Sequence, residues 1–252
     1  MLAKKILIYE PYAHKLYGNT RLILFILKLI NKEKYRPILV TPYESEFVAM
    51  VRNSGYRCVV LPPPSPLRQF GGTILRKGAI SKLLIGLSIA AHTFTLYSLL
   101  KRERPDIIHC HSIRSLLTIG PAAKLARKPC FLYIKGELNN KRLDRIGFFL
   151  ADRIAFLCDV LKNQKYPGLL NRYINKIGIV KLGIDLDEIG RIERNNDISL
   201  NNEMGVNSQK LNIAFLGSVV PQKGVDHLLH ALVKVKKRIP KVKLYIVGDH
   251  CA

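Results

Sequence analysis

The strongest chemical signal in the chain is the run Phe215-Leu216-Gly217-Ser218-Val219-Val220-Pro221-Gln222-Lys223-Gly224, followed by residues with helical spacing. A strand that feeds a glycine-containing loop and then a helix aims backbone N–H groups and the positive end of the helix dipole at one point, where a phosphate can sit. Lys223 would add a full positive charge there, so Gly217, Ser218, Lys223 and Gly224 are the candidates for holding a phosphate. A plain strand-to-helix loop with an exposed lysine would have the same residues, and the sequence leaves that reading open. The dinucleotide fingerprint G-x-G-x-x-G occurs neither here nor after the first apolar run, which argues against a nicotinamide-dependent dehydrogenase.

A second group lies near the middle of the chain, in Arg104-Pro105-Asp106-Ile107-Ile108-His109-Cys110-His111-Ser112. His109 and His111 flank one residue of an expected strand. They are expected to point to opposite faces, so that they would not readily share a metal and only one would face a cleft. His111 is taken as that one, against the alternative of a histidine that braces a core or loop. No metal site is expected anywhere. The five cysteines (Cys58, Cys110, Cys130, Cys158 and Cys251) are widely spaced, form no C-x-x-C pair and read as reduced residues in a cytoplasmic protein.

The elements that must position these residues follow an α/β pattern: short β-rich runs separated by helical segments, the signature of a parallel sheet with crossover helices. Strands are predicted at 5–9, 37–41, 57–61, 106–110, 130–135, 153–157 and 178–182, with helices at 20–31, 44–54, 74–102, 112–126 and 140–151. Gly55 is placed to cap the second helix in the left-handed conformation. Residues 191–209 are polar, rich in Asn and aperiodic, and read as a surface segment between domains. A single βαβ unit follows: strand 211–217, helix 224–239 and strand 242–248. Such a unit covers only part of its sheet, whereas parallel strands are normally covered on both faces.

Together these segments resemble glycosyltransferase family 4 (glycosyl transferases group 1), whose members have the two-Rossmann-domain GT-B fold. The resemblance is most specific over 104–112, 178–185 and 213–248. It implies a Rossmann-like N-terminal acceptor domain (1–185), a linker (186–209) and the opening βαβ unit of a donor-nucleotide domain (210–252). The family's loop lysine contacts the donor diphosphate, which assigns that role to Lys223. Ser218 stands where an arginine often provides a second phosphate clamp.

Tyr133-Ile134-Lys135-Gly136-Glu137-Leu138 resembles the segment in which many members place a histidine before glycine, close to the reacting sugar. Lys135 occupies that position, where it can hold an anionic group but cannot reproduce an imidazole hydrogen bond. With Gly136 and Glu137 it joins His111 in the expected cleft. Gly18 and Asn19, in a loop between the first strand and the first helix, are the expected acceptor loop, Gly18 allowing close backbone approach. Ile179-Val180-Lys181-Leu182-Gly183-Ile184-Asp185 resembles the interdomain hinge, marking Gly183 and Asp185. Asp185-Leu186-Asp187 also spells the D-x-D of metal-using transferases of another fold, a coincidence given its place after the hinge strand.

The resemblance implies a retaining transfer of a sugar from a nucleotide-sugar to a hydroxyl of a glycan or lipid-linked acceptor, in cell-surface polysaccharide or glycolipid synthesis. No metal or other cofactor is implied. The family's later pair of glutamates would lie beyond Gly248, so the resemblance also implies a chain truncated in its C-terminal domain and inactive by itself. A form that only binds acceptor or anionic membrane is the alternative.

Composition agrees with a folded protein that meets anions. The 252 residues are 48% hydrophobic, enough for a real core. Forty-one Lys and Arg against 18 Asp and Glu give a formal charge of +23, which suits nucleotide phosphates, nucleic acid or an anionic membrane surface. Nucleic acid is disfavoured, since no helix-turn-helix, RNA-binding aromatic sheet or zinc pattern is present. The N-terminus has no secretory signal and reads as a first strand. The apolar stretch from Ala79 to Leu100 is near spanning length but is interrupted by Lys82 and His92, and a long helix packed on a sheet is expected. A cytoplasmic protein, peripheral at the inner membrane face, is the resulting expectation.

Overall fold

The computed structural model describes residues 3–14, 16, 18–68, 79–138, 140–163, 166–184, 186, 190 and 211–248. Most of the expected linker, the hinge residue Asp185 with Asp187, the first residues of the 74–102 helix and Cys251 lie outside the described residues. The chain divides between Leu182 and Gly183 into two compact units.

In the first unit, strands β1 (Lys4–Tyr9), β2 (Tyr35–Thr41), β3 (Arg57–Val60), β4 (Ile107–Cys110), β5 (Cys130–Ile134), β6 (Arg153–Phe156) and β7 (Ile177–Ile179) form one parallel sheet. Their spatial order is β3-β2-β1-β4-β5-β6-β7. Crossover helices are α1 (Gly18–Leu29), α2 (Glu46–Asn53), α4 (Ala79–Glu103), α5 (Ile113–Leu125) and α6 (Lys141–Leu150), with short helices α3 (Ser65–Arg68), α7 (Asp159–Asn163) and α8 (Pro167–Arg172).

The sheet is buried on both faces because its strands are apolar at successive positions. Leu7 and Tyr9 pack with Leu100 of α4, Leu116 of α5 and Phe148 of α6, while Ile8 packs on the other side with Ile23 of α1 and Phe47 of α2. This is the period-two alternation of a strand, filled on both sides. Gly55 adopts φ +82° just past α2 and donates its N–H to the Arg52 carbonyl, as a left-handed cap does. The order reverses between β1 and β4, and in open α/β sheets ligands bind in the crevice beyond the carboxyl ends of the strands at such a point.

Two expectations need correction. The last strand of the sheet is predicted over 178–182 but pairs only through Ile177–Ile179. As an edge strand it has one neighbour, and β6 ends at Phe156, opposite Ile179. Gly18 and Asn19, expected in a loop, form the first turn of α1. The helix at 79–103 packs on the sheet as expected: Leu96, Leu99 and Leu100 lie in the core. Residues 83–103 are nevertheless long and apolar enough to cross a membrane, with mean hydropathy 1.7, and they expose Leu83, Leu84, Leu87 and Phe94.

The described part of the second unit is one βαβ element: β8 (Asn212–Leu216), α9 (Val225–Arg238) and β9 (Lys243–Val247), with β8 and β9 parallel. Leu216, Ile246 and Val247 are exposed, as a parallel pair with one covering helix requires.

Candidate functional site

The carboxyl ends of β4 and β5 open into a cleft of about 480 Å³. Helix N-termini converge on it. Ser112 caps α5, exchanging hydrogen bonds with Ser115, and Asn140 caps α6 through its side-chain oxygen, which accepts from the N–H groups of Arg142 and Leu143. Both caps line the cleft, as does Asn19 in the first turn of α1. Three positive dipole ends therefore surround a space that suits an anion or a hydroxyl-rich ligand.

Inside the cleft, Nζ of Lys135 lies 2.9 Å from Nδ1 of His111. Burial lowers the Lys135 pKa to about 8, against an opposing pull from Glu10. The ammonium donates to Nδ1, which leaves the proton of a neutral His111 on Nε2. His111 stays neutral, because burial, then His109, then Lys135 push its pKa well down. Its buried Nε2 has no hydrogen-bond partner among the described residues.

The two histidines correct the expectation that they point to opposite faces. Residues two apart on a strand share a face, and the rings of His109 and His111 stack with centroids 4.2 Å apart. His109 in turn lies against Phe131, its register partner on β5, at 4.9 Å. Burial lowers the His109 pKa to about 4, with Lys135 adding to the shift. The pair is thus a neutral stacked ladder behind the lysine. No group of three metal-ligating side chains occurs among the described residues.

The structure brings Asn19, His111, Lys135, Gly136 and Glu137 together on this cleft. Gly18 is not among its lining residues; it is exposed, and a side chain there would meet nothing within 4 Å. A side chain at Gly136 would also find open space, so neither glycine is demanded by packing. Gly183 is exposed, at the division between the units.

Sequence reasoning missed three contributors. Glu10, directly after β1 at the switch point, is fully buried; one carboxylate oxygen accepts from the Tyr12 N–H at 2.9 Å and the other has no hydrogen-bond partner among the described residues. Burial raises its pKa, while the Tyr12 hydrogen bond, Lys135 and Arg114 pull it down. Arg114, in the first turn of α5, stacks its guanidinium over the Tyr12 ring at 4.6 Å. A carboxylate at the end of the central strand was the available signal; the Arg114–Tyr12 pairing had none. The cysteines have no such part: burial raises the thiols of Cys110, Cys130 and Cys58, which therefore stay protonated.

In the second unit the phosphate-loop candidates occupy a strand-to-helix turn. Gly217 donates to the Val247 carbonyl, Pro221–Lys223 form a single 3₁₀ turn and Lys223 is exposed. Ser218 is half-buried between them. Gly224 adopts φ +66° and supplies no side chain to cap α9. Asp226, in the first turn, is held below the usual carboxylate range by its hydrogen bond with His227. A side chain on Gly248 would run into the Gly217 carbonyl, so the ends of β8 and β9 meet backbone to backbone.

Comparison with known proteins agrees with this architecture. The family model described as Glycosyltransferase Family 4 matches residues 32–163. An Escherichia coli UDP-Gal:alpha-D-GlcNAc-diphosphoundecaprenol alpha-1,3-galactosyltransferase is 26% identical over 168 residues, covering 62% of this chain and 43% of that protein. An uncharacterized 41.2 kDa protein in the cps region of Klebsiella pneumoniae is 28% identical over 179 residues, covering 64% and 48%. This chain therefore spans less than half the length of these curated relatives. Among solved structures, Anabaena Alr3699/HepE in complex with UDP and glucose superposes with a TM-score of 0.68 at 16% identity, covering 98% of this chain and 62% of that one. The lipopolysaccharide outer core galactosyltransferase WaaB, apo form, gives 0.57 at 12% identity, covering 97% and 68%. At these identities the structural likeness establishes the fold, the GT-B architecture.

Proposed function

The chain belongs to Glycosyltransferase Family 4, and from that premise we propose that it serves the transfer of a sugar from a nucleotide-sugar to a hydroxyl of a glycan or lipid-linked acceptor. The observation that carries the reading is the cleft at the switch point of the first unit, where three helix N-termini and Lys135 present positive charge beside the neutral His111. One relative with a named activity supports it: the Escherichia coli protein is called a UDP-Gal:alpha-D-GlcNAc-diphosphoundecaprenol alpha-1,3-galactosyltransferase. Anabaena HepE, with the same fold, was solved with UDP and glucose.

In this reading the acceptor occupies the cleft, with Lys135 holding an anionic group and Asn19 and Glu137 at its wall. Lys223 and the N-terminus of α9 take the donor diphosphate and stabilise the charge that develops as it leaves, in place of a metal. The transfer retains anomeric configuration and feeds cell-surface polysaccharide or glycolipid assembly. The protein works at the cytoplasmic face of the membrane as a peripheral protein, a placement supported by the +23 charge and by the apolar residues exposed on α4.

The test offers radiolabelled nucleotide-sugars together with lipid-linked acceptors and follows label into the lipid-extractable fraction. Transfer is expected of a protein that carries this chain together with the family's later pair of glutamates, and nucleotide binding should fall when Lys223 is changed to alanine. Absence of both transfer and nucleotide binding would overturn the reading. Acceptor or anionic-vesicle binding without any nucleotide binding would establish the binding-only alternative instead.

A further inference from the structure

Helix α6 has a second chemical side. Its first residue, Lys141, and Arg145 one turn later line a concavity of about 340 Å³ between α6 and α8, together with Arg172, the last residue of α8. Tyr166, Pro167, Gly168 and Leu169 also line it, and no carboxylate does among the described residues. It shares no lining residue with the cleft. Asp144, the acidic residue of α6, is buried and lines the cleft instead, accepting from the Asn140 N–H. Elsewhere on the surface such cations are neutralised: Arg52 pairs with Glu44, Arg57 with Glu103 and Lys124 with Asp152. The side chains of Lys141 and Arg145 make neither an ion pair nor a hydrogen bond among the described residues, and that of Arg172 only stacks over the Tyr173 ring at 5.7 Å. Their placement also works against local stability. A cation in the first turn of a helix opposes the dipole, as Lys141 does, and like charges four residues apart on a helix repel, as Lys141 and Arg145 do. An anion seated between them relieves both conflicts.

We propose that this concavity is an anion site, separate from the cleft, that takes a phosphate group. Three converging cations exceed what a single carboxylate would neutralise. Each guanidinium can grip phosphate oxygens through two parallel N–H groups, and the Lys141 ammonium adds a point charge. The phosphate comes from a soluble phosphate compound or from a lipid head group. In the second case Ile146 and Phe149, both exposed on α6, would meet the hydrocarbon next to it.

The protein has no tryptophan, and a side chain at Gly168 finds open space, so Gly168→Trp sets a single fluorophore in the wall of the concavity. Its emission is titrated with pyrophosphate and, separately, with phosphatidylglycerol vesicles, phosphatidylcholine vesicles serving as the blank. A saturable change is expected with at least one of the two. Lys141→Gln with Arg145→Gln, and Arg172→Gln alone, should each weaken it by at least about tenfold, the worth of one charged hydrogen bond. Lys34→Gln with Arg36→Gln removes the same charge from exposed positions at the opposite end of the sheet and should leave it unchanged. All of these side chains are exposed, so thermal unfolding should stay in place and would reveal a variant that misfolds. Saturation by pyrophosphate assigns a soluble ligand; a response to phosphatidylglycerol vesicles alone assigns the head group. No saturable change with either, or a change that survives the site variants, would overturn the proposal. So would equal weakening by the Lys34 and Arg36 pair, which would show general surface charge only. The titration needs neither nucleotide nor transfer: its failure leaves the transferase reading standing, and failure of transfer with the titration intact removes only that reading.

Discussion

Nζ of Lys135 and Nδ1 of His111 stand 2.9 Å apart inside a cleft that buries the lysine far enough to bring its pKa from 10.5 to about 8. A charge held at that cost is positioned for an anion, and both sides of the trade can be measured. Binding of a sugar 1-phosphate should weaken as pH rises through about 8, where the ammonium is lost. Lys135→Arg should abolish the inflection, because guanidinium keeps its charge throughout. Calorimetric titration between pH 6 and about 9.5 checks this; an unchanged inflection in the arginine variant would assign it to another group.

Stability should move the other way. The folded state binds fewer protons than the unfolded chain between about 8 and 10.5, so stability rises with pH across that window and the penalty is fully present below it. Lys135→Met removes the penalty but orphans Nδ1 of His111. A net gain of about 1–2 kcal/mol at pH 7, turning into a net loss above pH ~10.5, is expected from urea unfolding. A methionine variant less stable than the parent at pH 7 would show that the lysine is there for structure.

Glu10 is the counter-charge. Its carboxylate raises the Lys135 pKa, so Glu10→Gln should shift the binding inflection below 8 while an amide oxygen keeps accepting from Tyr12. Its own folded pKa is raised by burial, so any stability it contributes is present below its unfolded value and lost as pH rises through the folded one. The glutamine variant should therefore be no less stable than the parent at pH 7, a comparison made by thermal unfolding.

The glycines of the second unit predict separable effects. Gly224→Ala must hold φ near +66°, which costs an L residue roughly 1–2 kcal/mol. Gly248→Ala must push apart the backbone of Gly217 and should be the more damaging. Lys223→Ala, at an exposed position, should leave unfolding unchanged and weaken nucleotide binding by roughly ten- to a hundredfold, the worth of a charged hydrogen bond. Denaturant curves followed alongside nucleotide titration distinguish the three.

Helix α4 can be divided by substitution. Leu100→Ala, fully buried, should cost about 2–5 kcal/mol. Leu83→Ser with Leu87→Ser should change stability by less than about 0.5 kcal/mol each, yet reduce binding to anionic vesicles. Vesicle sedimentation at low and high salt measures it, and unaltered sedimentation of the double variant would remove α4 from the membrane surface.

The sequence by itself determined the elements and their order. Leu7 and Tyr9 alternating with Ile6 and Ile8, and the helical stripes of α1 and α5, report on neighbours a few residues away, so they can be read along one chain. The loop from Gly217 to Gly224 was legible for the same reason, since strand, turn and helix are contiguous there. Lys135 and Gly136 were legible through a family resemblance rather than through their own chemistry. What only the tertiary structure decided was which distant groups share a low-dielectric space. Glu10, Lys135, His111 and Arg114 come from the ends of three strands and one helix turn, and their protonation follows from mutual distance and burial, which no local pattern encodes. The stacking of His109 on His111 was within reach of strand periodicity. The cationic concavity between α6 and α8 was not, because it exists only where two helices separated in the chain come to lie beside one another.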